Sequence, residues 1–241
     1  MFLDKFRSSK LFWVLAISAF SLWFFVVVSV VSGLISLPIT AFTNSEDLIN
    51  VVISVVLPVV MLAGSVLMYK LFFLKSERGL KLKESLKGLG FKRPKKKVWW
   101  LVPATIVVYV ALISVASAVL FSLFPEVAKQ EQEVQQVVEA MRGGYLILMV
   151  VAVGFITPIA EETFFRGLLI KLFGKRLKIM GAIIAPAALF GLAHLQINVS
   201  IDTFLFGITL GYLTYKTESI YPAIFLHMLK NCVVLSVLLI K

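Results

Sequence analysis

Hydrophobic residues in this chain come in long unbroken runs separated by short polar stretches. The runs occupy residues 11–34, 51–74, 98–124, 145–173, 179–196, 203–215 and 220–240. A helix needs about 20 apolar residues to cross a bilayer core, so the longer runs read as membrane spans. Backbone in lipid must satisfy its own hydrogen bonds, which favours helices over open strands. The expected fold is therefore all-α, a polytopic transmembrane helix bundle of about seven spans. Six to eight are compatible with the pattern, because the short later runs divide in more than one way. The first run follows Lys5, Arg7 and Lys10 and is longer than the apolar core of a signal peptide, so it reads as a first span. Pro58 predicts a kink supported by neighbouring helices, and Gly207 and Gly211, four apart, predict a close helix crossing.

Composition agrees with the pattern and narrows the class. Of 241 residues 60% are hydrophobic and 15% charged, with a mean hydropathy of +0.97. A soluble domain of this size could not hide so much apolar surface. The charge is unevenly placed. Residues 75–97 hold ten Lys or Arg against two Glu, a net +8 of the chain's +11. The positive-inside rule puts this loop, the N-terminus and the basic turn 171–178 in the cytoplasm. Leu80, Leu82, Leu86, Leu89 and Phe91 interleave the charges, which suits contact with an anionic lipid surface and leaves no call for a nucleic-acid partner. Trp99 and Trp100 mark a membrane interface.

Residues 125–144 are polar and slightly acidic, with Val127, Val134, Val138 and Met141 at helical spacing. They read as an external amphipathic segment resting on the bundle. The lone cysteine, Cys232, excludes an intrachain disulfide and a cysteine-based zinc cluster. The expected organisation is one integral membrane unit. Residues 1–144 supply helices, basic loop and external segment, and residues 145–241 supply the core that carries the chemistry.

That chemistry centres on TPIAEETFFRG, residues 157–167. Ionisable groups inside an apolar run need a partner, a wet cavity or a catalytic use. Glu162 and Arg166 are four apart and share a helix face, so they can neutralise each other. Glu161 points about 100° away and is free to face something else. The chain's two histidines, His194 and His227, also lie in apolar runs. If runs four and five form an antiparallel hairpin about Leu177, Glu161 and His194 each sit ~16 residues, roughly 24 Å, from the turn. On the last run His227 and Asn231, four apart, reach roughly 15–21 Å from the turn near Thr217. Four polar side chains thus converge at one depth, which predicts a water-filled active site. Lys230, beside Asn231, can snorkel, pair with a carboxylate or tune the site.

In order, EETFFR, FGLAH (Phe190–His194) and HMLKN (His227–Asn231) fit the patterns EExxxR, FxxxH and HxxxN. Together they resemble the CPBP family of intramembrane proteases, which includes type II CAAX prenyl endopeptidases and bacteriocin-processing and self-immunity (Abi) proteins. The resemblance covers residues 145–241. It implies that Glu161, assisted by His194, activates a water, that His227 and Asn231 stabilise the oxyanion, and that Glu162, Arg166 and Phe190 support the site. The same residues offer a second chemistry. Glu161, His194 and His227 form a two-histidine, one-carboxylate set adequate for a divalent metal such as zinc, so either no cofactor or one metal is implied.

The expected partners are the bilayer and a membrane-embedded or lipid-anchored peptide substrate, either CAAX-type or a bacteriocin or pheromone precursor. The expected location is a bacterial plasma membrane. A non-catalytic scaffold or immunity factor binding a partner membrane protein would need the bundle but not the four polar residues. A channel or transporter would also hold ionisable groups, but the chain shows no internal repeat of the transporter kind.

Overall fold

The structure, a computed structural model, describes residues 9–43, 45–74, 82–128, 138, 141 and 143–240. Among them six helices are long and apolar enough to cross a membrane. In chain order the elements are α1 (Lys10–Thr40), α2 (Glu46–Phe73), α3 (Leu82–Leu89), α4 (Leu101–Leu123), α5 (Pro125–Ala128), α6 (Gly143–Gly174), α7 (Ile179–Leu192), α8 (Ile197–Thr217) and α9 (Tyr221–Ile240). No strand occurs among the described residues, and the all-α bundle read from the sequence is the fold.

Local chemistry sets several helix ends. Ser9 and Ser45 cap α1 and α2, accepting from the Phe12 and Leu48 N–H groups at 3.1 and 3.3 Å. Glu46 and Asp47 add negative charge to the first turn of α2, where the helix dipole favours it. Serines within the spans return their hydroxyls to the carbonyl four residues back, as Ser32 does to Val28 and Ser65 to Met61. This satisfies the hydroxyl without a neighbouring helix.

The core is built around α6. Phe24 of α1 stacks on Phe164 with ring centroids 4.6 Å apart, and Phe165 meets Phe190 of α7 at 4.8 Å. From the other side Leu89 of α3 is fully buried, and its carbonyl oxygen lies 2.7 Å from where a Cβ on Gly167 would stand. The motif helix is thus enclosed by α1, α2, α3 and α7. Apolar side chains are exposed on the outer faces, as at Leu22, Val107 and Val237, where lipid is the solvent.

The late runs divide differently from their expected boundaries. The fifth forms only the 14-residue α7, roughly 21 Å long and short of a ~30 Å hydrocarbon core. His194 therefore lies in the turn after α7 rather than within a span. Residues 198–202, which lie between the fifth and sixth apolar runs, belong to the first turns of α8, which has 21 residues. Asn198, Ser200 and Asp202 lowered the apparent hydropathy there without breaking the helix.

Of the basic loop, residues 75–81 lie outside the described residues, and so does most of the 125–144 segment, Val134 included. Val127, Val138 and Met141 are buried. Val138 and Met141 pack with Val51, Met149 and Leu235.

The helix pair α7–α8 is the most extensive in the bundle and depends on two glycines. A Cβ on Gly207 would lie 3.0 Å from the Ala187 Cβ and 3.3 Å from Arg166 Nη2, and one on Gly211 would lie 2.8 Å from Ile183 Cγ2. Gly207→Val should therefore destabilise the protein by about 1–3 kcal/mol, the usual cost of overpacking. Gly33→Ala, where a Cβ meets nothing within 4 Å, should leave stability unchanged. Thermal unfolding of both variants in detergent, followed by size-exclusion, checks the contrast.

Candidate active site

Helix α6 is not uniformly α-helical. Two π-helical turns, Ala152–Ile156 and Thr163–Leu169, flank a short α segment, Thr157–Glu162, that carries both glutamates. Such widened turns recur at functional sites because they release a backbone group from the helix. Here the Thr157 N–H bonds to the Ala152 carbonyl, five residues back, and not to Val153. The Val153 carbonyl is then free to accept from Asn231 Nδ2 of α9 at 2.8 Å. One irregular turn thus makes the dock for the amide of HMLKN.

Glu162 has no exposed surface. Its Oε1 accepts from Arg166 Nη1 at 2.8 Å, the i,i+4 pair expected from spacing. The same oxygen accepts from His227 Nδ1–H, also at 2.8 Å. An ionised carboxylate has no hydrogen to give, so this contact fixes the His227 proton on Nδ1 and directs Nε2 elsewhere. Nε2 lies 3.6 Å from Glu161 Oε2. Glu161 is partly accessible, its side chain 20% exposed. Spacing therefore separates the two glutamates correctly, but it does not reveal that Glu162 also holds His227.

His194 is oriented by its own turn. Its Nδ1–H donates to the Phe190 carbonyl at 2.8 Å, which leaves Nε2 with a lone pair. Phe190 packs between the polar groups, 5.1 Å from the His194 ring, 5.9 Å from the His227 ring and 4.7 Å from the Arg166 guanidinium. It gives the buried Arg166 and both imidazoles a common apolar neighbour.

Glu161, His194, His227 and Asn231 all line one cavity of about 210 Å³. Glu162 and Arg166 lie behind it, and Phe190 forms part of its wall. Among the described residues, however, no three His, Cys, Asp or Glu side chains group closely enough to hold a metal ion. Each histidine engages Nδ1 and leaves Nε2 to face the cavity, the orientation that both a metal-free site and a zinc set of Glu161, His194 and His227 would require.

Two more lining residues, Asp202 and Lys230, pair across α8 and α9, with Lys230 Nζ 2.6 Å from Asp202 Oδ2. The Tyr109 hydroxyl of α4 donates to Asp202 Oδ1. Lys230 therefore takes the carboxylate partner that was one of its three open options. Sequence reading left Asp202 between two apolar runs and gave Tyr109 no role. The available signal was that Asp202 is the only acidic residue between Glu162 and Glu218.

Residues 143–233 match the family model described as type II CAAX prenyl endopeptidase Rce1-like. The matched segment contains every residue singled out in the three motifs. No curated protein and no solved structure matches the chain.

The two glutamates should respond differently to neutralisation. Glu162→Gln strands Arg166 as a buried unpaired charge and should cost about 3–5 kcal/mol, the scale for breaking a buried pair from one side. Glu161→Gln removes a partly exposed carboxylate with one loose contact and should leave stability nearly unchanged. Denaturation midpoints of the purified variants measure the difference.

Proposed function

We propose that this chain is an intramembrane endopeptidase that hydrolyses a peptide bond of a membrane-associated substrate by carboxylate-activated water. The observation that carries the reading is the single cavity lined by Glu161, His194, His227 and Asn231, which come from α6, the turn after α7, and α9. The family match supports a CAAX-type protease in general. A peptide substrate ending in a CAAX-type sequence, or a bacteriocin or pheromone precursor, suits the cavity. The 75–97 segment would meet the anionic cytoplasmic leaflet of a plasma membrane.

The roles follow from the free atoms. Glu161 takes a proton from water while the neutral His194 Nε2 accepts the other hydrogen and orients the oxygen for attack. The water oxygen bonds to the carbonyl carbon, and the carbonyl electrons move onto its oxygen. Asn231 uses one amide hydrogen on Val153 and retains a second for that oxyanion. His227, when protonated at Nε2, supplies another donor. The carbon–nitrogen bond then breaks, and Glu161 returns its proton to the departing amine. Glu162 and Arg166 do not touch the reacting atoms; they hold His227 and the motif helix.

Glu161→Gln and His194→Ala should each abolish cleavage of a reconstituted substrate while protein abundance stays normal. Asn231→Ala should lower kcat by roughly 10²–10³, with KM little changed, as for one lost oxyanion donor. Chelators should leave wild-type activity intact. Loss of activity on chelation, restored by zinc, would favour the metal scheme; unchanged biological output in all three variants would favour a scaffold.

A further inference from the structure

A second cavity lies between α4 and α8, with a floor from α7, and shares no lining residue with the candidate active site. It measures about 390 Å³. Its length follows α4 from Trp100 to Leu112, roughly 18 Å, close to the ~15 Å half-thickness of a bilayer core. The walls are apolar even where the sequence is not. Thr105 returns its hydroxyl to the Leu101 carbonyl at 2.7 Å, and Thr209 returns its own to Phe206 at 2.8 Å. Both threonines therefore have their hydroxyl hydrogens spent within their own helices.

One end is chemically different. Lys216, in the last turn of α8, is the only charged residue of the lining. Its Nζ lies 5.4 and 5.9 Å from the Tyr212 and Tyr215 rings, and it has no carboxylate partner among the described residues. Trp100, exposed and following Lys95, Lys96 and Lys97, lies at the same end of the groove. An apolar groove one leaflet deep, with an ammonium and an indole at its interfacial end, has the polarity of a phospholipid.

We infer that this groove is a binding site for one anionic glycerophospholipid of the bilayer, with an acyl chain between α4 and α8 and its phosphate on Lys216. Charge selects the anionic headgroup, and the groove lies apart from the cavity that holds the candidate catalytic residues.

Trp100 reports on the groove directly. In a full-length variant with Trp13, Trp23 and Trp99 changed to Phe, Trp100 is the only tryptophan. Reconstituted into phosphatidylcholine vesicles, it should be quenched about fivefold more effectively by dibrominated phosphatidylglycerol than by dibrominated phosphatidylcholine, the ratio expected of one lysine near an anionic headgroup. Lys216→Gln should bring that ratio close to one, and Ala104→Phe, which fills the groove, should reduce quenching by both lipids. Equal quenching in the parent, or a ratio unmoved by Lys216→Gln, overturns the site. Native mass spectrometry of chains with all four tryptophans gives the same decision without the triple variant. After equilibration with equal amounts of the two lipids, a single phosphatidylglycerol adduct should persist in the wild type and be lost in Lys216→Gln. Displacement of that adduct by an isoprenylated peptide would assign the groove to substrate and also overturn the lipid site.

Discussion

One oxygen atom, Glu162 Oε1, joins the guanidinium of its own helix to the imidazole of another. Burying a lone carboxylate in a membrane protein is prohibitively unfavourable, so the atom is admissible only with both partners in place. Those partners fix more than charge. Arg166 depends on the close α7–α8 approach, because its Nη2 occupies space beside Gly207 that a side chain there would contest. His227 fixes the rotation of α9, and with it the positions of Lys230 and Asn231 one turn further on. Removing the carboxylate would loosen three helices together.

The two π-helical turns on either side of the glutamates have a related logic. A regular α-helix bonds every interior carbonyl within itself and has nothing to offer a neighbour. Widening the turn at Ala152–Ile156 frees the Val153 carbonyl, and Asn231 takes it. The second helix of the site is thus tied to the first twice, through a side chain at His227 and through the backbone at Asn231. A third tie, Lys230 to Asp202, joins it to α8. In lipid, where apolar side chains gain little from meeting one another, polar ties of this kind set helix register.

How much of this was legible in the sequence depended on which physical signal each feature leaves. Long apolar runs declare membrane helices, and the division of labour between Glu161 and Glu162 follows from 100° per residue, which holds because both sit in an α-helical stretch. The hairpin count brought Glu161 and His194 to one cavity although His194 is not in a helix, since a turn at a helix end keeps the same depth. Three things left no such mark. A π turn has no composition of its own, so the Val153–Asn231 contact was invisible. The 198–202 stretch reads as polar, yet it begins a helix in which Asp202 is neutralised by Lys230 and hydrogen-bonded by Tyr109, both from other helices. And the Glu162–His227 bond spans 65 residues, a separation at which helix periodicity carries no information.

The charges around the cavity add a last constraint. Glu161, Glu162 and Asp202 face two permanent cations, Arg166 and Lys230, each already paired at 2.8 and 2.6 Å with Glu162 and Asp202. Glu161 is left with His227 at 3.6 Å, a looser and partly accessible contact between two groups that can each carry a proton. The fixed pairs neutralise themselves and hold the helices, while the Glu161–His227 contact stays loose. In the proposed chemistry Glu161 must accept a proton and His227 must present one, and a rigid short pair could do neither without breaking. The other two ion pairs supply the rigidity that lets this third one remain open.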